Sequence, residues 1–97
     1  MREQWTFSSA GEVIFGLHAV ERAGLAARRL GMRHALIVTD RVLVGVGLVD
    51  AVRKPLEQAG IAVSVFDGGE PEPSSEAVTR CLEIARAAGS DGLVALG

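Results

Sequence analysis

A carboxylate that ends a buried strand can accept hydrogen bonds from the vicinal hydroxyls of a ribose, and Asp40 follows the apolar run Ala35-Leu36-Ile37-Val38-Thr39 in that position. The same charge repels the extra phosphate of an NADP ribose and so favours NAD. An Asp at this place also caps a following helix, and spacing alone leaves both roles open. Gly97 ends a second apolar run, Gly92-Leu93-Val94-Ala95-Leu96. A glycine there permits close approach of backbone to a diphosphate, and it is equally an ordinary turn residue. Between these two lies Asp67-Gly68-Gly69-Glu70-Pro71-Glu72-Pro73, a run of turn formers that must be exposed.

Other residues with chemical potential carry less. Gly45-Val46-Gly47 lacks the third glycine of a dinucleotide fingerprint, has Asp50 in its place and does not directly follow a strand. His18 and His34 flank the starts of expected elements, as surface or capping residues do, rather than at metal-ligand spacing. Cys81 falls on an apolar helical stripe, where a thiol behaves as a small hydrophobe. Ser74 and Ser75 have no His and base nearby in sequence to activate a nucleophile. Arg28-Arg29 and Arg53-Lys54 are too short to be more than solvated helix faces.

The elements that must position these residues follow from periodicity. Trp5 and Phe7, then Val13 and Phe15, alternate around Ser8 to Gly11 and predict a short β-hairpin. Val20, Ala23, Ala27 and Leu30 recur at helical spacing from Ala19 until Gly31. The run at 35–39 is a strand covered on both faces, as in a parallel sheet. Val42 to Gly47 predicts a short irregular turn, and Leu48, Val49, Val52, Leu56 and Ala59 a helix that Pro55 should kink unless it sits near the start. Ile61 to Phe66 is a further strand. Ser74 is a suitable N-cap for a helix lined by Val78, Cys81, Leu82, Ala85 and Ala88, with Glu76 in its first turn. The last strand is 92–96. Strands separated by helices in this order predict an α/β fold with an open, Rossmann-like parallel sheet, preceded by the hairpin.

Composition bounds the function. The chain has 97 residues, 48% hydrophobic and 23% charged, with ten Lys plus Arg against twelve Asp plus Glu and a net charge of −2. That is one core, or part of one domain. Without a basic stripe, nucleic acid is not an expected partner. No apolar run approaches the roughly 20 residues of a membrane span, nor does the amino end carry an apolar signal segment, so no membrane partner and a cytoplasmic location are expected. The single cysteine cannot form an internal disulfide.

The succession Phe15-Gly16, Leu36 to Asp40, Gly47-Leu48-Val49-Asp50, Val65-Phe66-Asp67, Pro71-Glu72-Pro73-Ser74 and Asp91 to Gly97 resembles the amino-terminal part of the iron-containing alcohol dehydrogenase family. The likeness runs from about Phe7 to the last residue, with the joint order of the motifs as its signal. It implies that residues 1–97 are an incomplete amino-terminal dinucleotide-binding domain, of the type shared with dehydroquinate synthase. The family's helical domain, which holds Fe2+ or sometimes Zn2+ through one Asp and three His, is then absent. Carried over, the cofactor-binding positions are Asp40 for the ribose, Gly97 at the start of the diphosphate loop, and Glu72 where many members have Asn near the cofactor. Glu72 departs from that pattern: a carboxylate near a diphosphate is unfavourable, so it either faces solvent or belongs to a differently arranged pocket.

The resemblance implies an NAD- or NADP-dependent oxidoreductase acting on a small alcohol or carbonyl, in a homo-oligomer. This segment alone would be inactive, with no catalytic or metal-ligating residue of its own. Glycerol dehydrogenase, maleylacetate reductase and dehydroquinate synthase share the amino-terminal architecture and are alternatives. A non-enzymatic α/β binding module, with Asp40 only a cap, is the alternative from a different class. The last strand is expected to expose Leu93 and Leu96.

Overall fold

The computed structural model describes residues 11, 14–72 and 74–97. A single 3-10 turn at Ala19–Arg22 leads into helix α1, Ala23–Arg29. Strand β1, His34–Val38, is followed by a five-residue helix α2, Arg41–Gly45, and by α3, Leu48–Gln58. Then come β2, Ala62–Phe66, helix α4, Ser75–Ala88, and β3, Gly92–Ala95. The three strands form one parallel sheet in the order β2-β1-β3, with Val38 opposite Phe66 on one side and opposite Ala95 on the other.

Because β1 is central, both of its faces are covered, and Ala35, Leu36 and Ile37 are fully buried. Side chains alternate across a strand, so Ala35 and Ile37 point to one face, where Ala27, Val49, Val52, Leu56 and Ile61 complete the main core beneath α1 and α3. Leu36, Phe66 and Ala77 are buried outside that cluster, on the side where α4 meets β1 and β2. Helices thus cover opposite faces. That is the expected result of right-handed crossovers running from β1 outward to β2 and then back past β1 to β3.

The open parallel sheet agrees with the periodicity. The expected hairpin, apart from Gly11, Ile14 and Phe15, lies outside the described residues, and those three belong to no strand. The helix expected from Ala19 begins as a 3-10 turn, whose 120° step takes Val20 off the buried stripe. Leu30, at the C-cap, is exposed as well. In place of the irregular turn at 42–47 stands α2, for which Asp40 supplies the N-cap and so offsets poor propensity. Pro55 lies in the last turn of α3, where the chain continues helically for three further residues. Ser74 caps α4 as expected, its hydroxyl accepting from Ala77 N at 3.1 Å.

Candidate functional site

In this strand order the chain leaves β1 in one direction and returns to the opposite side of it, so the carboxyl ends of β1 and β3 form a topological switch point. Ligands of open α/β sheets bind in the crevice outside such ends. Leu96 N donates to Val38 O at 3.0 Å, continuing the β1–β3 pairing to the last residue but one. The segment after β1, Thr39-Asp40, and the segment after β3, Leu96-Gly97, therefore emerge side by side.

Asp40 stands at this crest in extended backbone, half-buried. Its Oδ1 accepts from Leu43 N at 2.9 Å and caps α2. No other hydrogen bond within the described residues reaches its carboxylate. The two roles left open by the sequence are thus compatible at the level of atoms: one oxygen holds the helix, and Oδ2 remains for a hydroxyl donor. Gly97 directly follows Leu96 at this crest, beside the segment that leads from β1 into Asp40. Glu72 is exposed and lies outside the residues that line the neighbouring groove, whereas Glu70 and Pro71 line it.

Beside Asp40, Thr39 is 4% exposed, and its Oγ1 is buried without a hydrogen-bond partner among the described residues. A buried hydroxyl in that state is costly unless water or another polar group meets it. Gly68 and Gly69 fold over the same strand end. Asp40 and Gly68 form an antiparallel bridge, and Gly69 N donates to Thr39 O at 2.9 Å. The sequence marks Gly68 and Gly69 only as turn formers. Their placement against residues far earlier in the chain has no local signature.

From this crest an open groove runs between α4 and the sheet, lined by Asp40, Phe66, Gly68, Val78, Cys81 and Leu93 among others. Cys81 is partly buried there. His18 and His34 are on separate elements: His34 Nε2 and Ser64 Oγ share a hydrogen bond of 2.8 Å across β1 and β2, and His18 sits 3.6 Å from Glu21 on the surface. Gly45 and Gly47 bracket the junction of α2 and α3, where Gly47 takes a φ of 82°. Among the described residues no three His, Cys, Asp or Glu side chains converge to hold a metal ion. None of the helices described is long and apolar enough to cross a membrane.

The sequence profile of the iron-containing alcohol dehydrogenases matches residues 10–97. Long-chain-alcohol dehydrogenase 1 of Geobacillus thermodenitrificans is 37% identical over 82 residues, which are 84% of this chain and 21% of that enzyme. The NAD-dependent methanol dehydrogenase of Bacillus methanolicus is 32% identical over 84 residues, 87% of this chain and 22% of that one. The crystal structure of a halo-thermophilic archaeal alcohol dehydrogenase from a Red Sea brine pool superposes with a TM-score of 0.86 at 27% identity, covering 100% of this chain and 24% of its own. The chain thus spans less than a quarter of the length of these relatives. A profile match over nearly all of the sequence, with the fold and motif order to go with it, places this chain in the iron-containing alcohol dehydrogenase family.

Proposed function

We propose that this chain is the amino-terminal part of the dinucleotide-binding domain of an NAD(P)-dependent, metal-dependent alcohol dehydrogenase or reductase acting on a small alcohol or carbonyl. The observation that carries the reading is Asp40 at the β1/β3 switch point with one carboxylate oxygen uncommitted. The likeness to an NAD-dependent methanol dehydrogenase supports the same cofactor. A bound nicotinamide would supply hydride transfer, and a divalent metal, iron or zinc, would supply polarisation of the substrate oxygen. Nothing among the described residues suits that metal, so no residue of this chain is given a role in holding it.

The chain's own residues bind and orient. Asp40 Oδ2 accepts from a ribose hydroxyl, and its charge disfavours a phosphorylated ribose. Gly97, next after the residue that pairs with the end of β1, is read as the start of a diphosphate loop. Glu72, exposed at the turn, is read as facing solvent rather than the diphosphate. The protein so read is a cytoplasmic homo-oligomer.

The competing reading, a non-enzymatic binding module, draws on the bond from Leu43 N to Asp40: a cap would explain that carboxylate by itself. Asp40→Ser separates the two, because serine caps a helix nearly as well and carries no charge. In the full-length protein, NAD titration with Asp40→Ser should weaken NAD binding and strengthen NADP binding by about tenfold, as expected from removing one nearby like charge. Saturable NAD binding with no response to Asp40→Ser would leave only the cap. No nicotinamide binding, and no alcohol oxidation with iron or zinc supplied, would leave only the module.

A further inference from the structure

We propose that Gly69, assisted by Gly68, is a positioning residue for Asp40: the two glycines let the segment after β2 clasp the end of β1, and this clasp sets the carboxylate that selects between NAD and NADP. The inference rests on the cofactor reading above and goes beyond it in naming what holds the selective residue in place.

β1 and β2 run parallel as far as Val38 and Phe66, and Thr39 N still donates to Phe66 O at 2.9 Å. Strands that end in parallel normally diverge into their helices. Here the chain reverses within Asp67 and Gly68 and comes back antiparallel over Asp40. The Thr39 peptide is consequently held twice, its N–H by Phe66 and its carbonyl by Gly69 N.

Space, not backbone freedom, argues for glycine at Gly69 and less strictly at Gly68, since neither is among the residues with positive φ. A Cβ on Gly69 would lie 2.6 Å from the Thr39 carbonyl oxygen and 3.2 Å from its carbon. Those are main-chain atoms of the peptide that leads into Asp40, and Thr39 is buried, so they cannot swing aside alone. A Cβ on Gly68 would lie 2.6 Å from Cζ of Phe66, the far end of a side chain. Alanine at 69 therefore moves the turn or the 39–40 peptide, and either displaces the Asp40 carboxylate relative to the crest. Oδ1 is tied to Leu43 N, so the carboxylate answers by pivoting about that hydrogen bond, which swings Oδ2.

The test compares Gly69→Ala, Asp40→Ser and the double variant in the full-length protein, reading KM for NAD and NADP, kcat and Tm. Gly69→Ala should raise KM for NAD about tenfold, leave kcat within about twofold and shift preference toward NADP. In the Asp40→Ser background the same change should alter the NAD to NADP ratio by less than about twofold, because the group it positions is gone. Leu56→Ala, in the core below the sheet, should lower Tm without moving the ratio; a shift there would mean that destabilisation alone produces the effect and would overturn the proposal. If Asp40→Ser shifts the ratio and Gly69→Ala does not, positioning is refuted and the cofactor reading survives. If neither shifts it, both fall. Should Gly69→Ala yield no folded protein, Gly68→Ala carries the test: it should shift the ratio the same way, and adding Phe66→Leu should restore it. Failure of that pair to move the ratio would also refute the clasp.

Discussion

Two aspartates mark the two ends of the sheet, and they act on different partners. Asp40, at the carboxyl ends, caps α2. Replacing it with alanine should cost about 1 kcal/mol through the lost cap, whereas Asp40→Ser should keep most of that stability. Thermal melts of the two variants check this independently of any cofactor. Asp91, at the amino ends, accepts from Arg33 N through both oxygens at 3.0 and 3.1 Å and from His34 N at 3.0 Å. The amide of His34 first, then that of Arg33, holds the Asp91 carboxyl below the usual carboxylate range. A group with a lowered folded pKa stabilises the fold above its unfolded value and loses that contribution as pH falls. Asp91→Ala should therefore melt below the wild type at neutral pH, and the gap should close as pH drops below about 4. A gap that stays constant down to pH 2 would assign the effect to packing. Asp40 was legible as a strand-ending acid because a local motif carried it. The Asp91 staple was not, because its partners lie 57 and 58 residues earlier in the chain.

At the scale of elements, local pattern was sufficient where burial has a single period. The run at β1 read as a two-sided strand, and the Ser74 cap marked the start of α4. It was insufficient where a short element depends on a cap or on a tertiary neighbour, as with the 3-10 turn before α1 and with α2. The contact of α1 with α3 is another such case. Gly24 is buried in α1, and a Cβ there would strike the carbonyl oxygen of Pro55 and come within 3.0 Å of Ala59 Cβ. Glycine in a helix interior weakens it by about 0.5–1 kcal/mol relative to alanine, and Gly24, in the first turn of α1, costs at most that. Here close approach of the two helices outweighs that propensity. Gly24→Ala should accordingly destabilise, by about 1–3 kcal/mol for overpacking, instead of stabilising the helix. Denaturant unfolding decides between the signs. Nothing in the sequence around Gly24 shows this, since the obstacle is in another helix.

Strand order is the feature of the whole molecule on which the site depends, and the pattern of apolar residues does not encode it: β3 could have joined either edge. Its place beside β1 creates the switch point, and it also leaves β3 with one partner strand among the described residues. Val94 and Leu96 lie on one face and pack against the main core, so Leu96 is half-buried and not exposed as expected, while Leu93 is 63% exposed on the groove side, next to Val78, Leu82 and Ile84, which are exposed too. Apolar surface along an open strand edge is a template for association. The 97-residue chain on its own should therefore self-associate at concentrations of order 100 μM. Leu93→Lys places a charge on the edge and removes part of the patch; since Leu93 is mostly solvent-exposed, it should cost no more than about 0.5 kcal/mol of stability. Light scattering after size exclusion should show the wild-type chain as concentration-dependent oligomers and the Leu93→Lys chain shifted toward monomer. A wild-type chain that stays monomeric and unfolds cooperatively at that concentration would mean that α4 and the sheet close over the groove in solution, leaving the edge too little apolar area to pair.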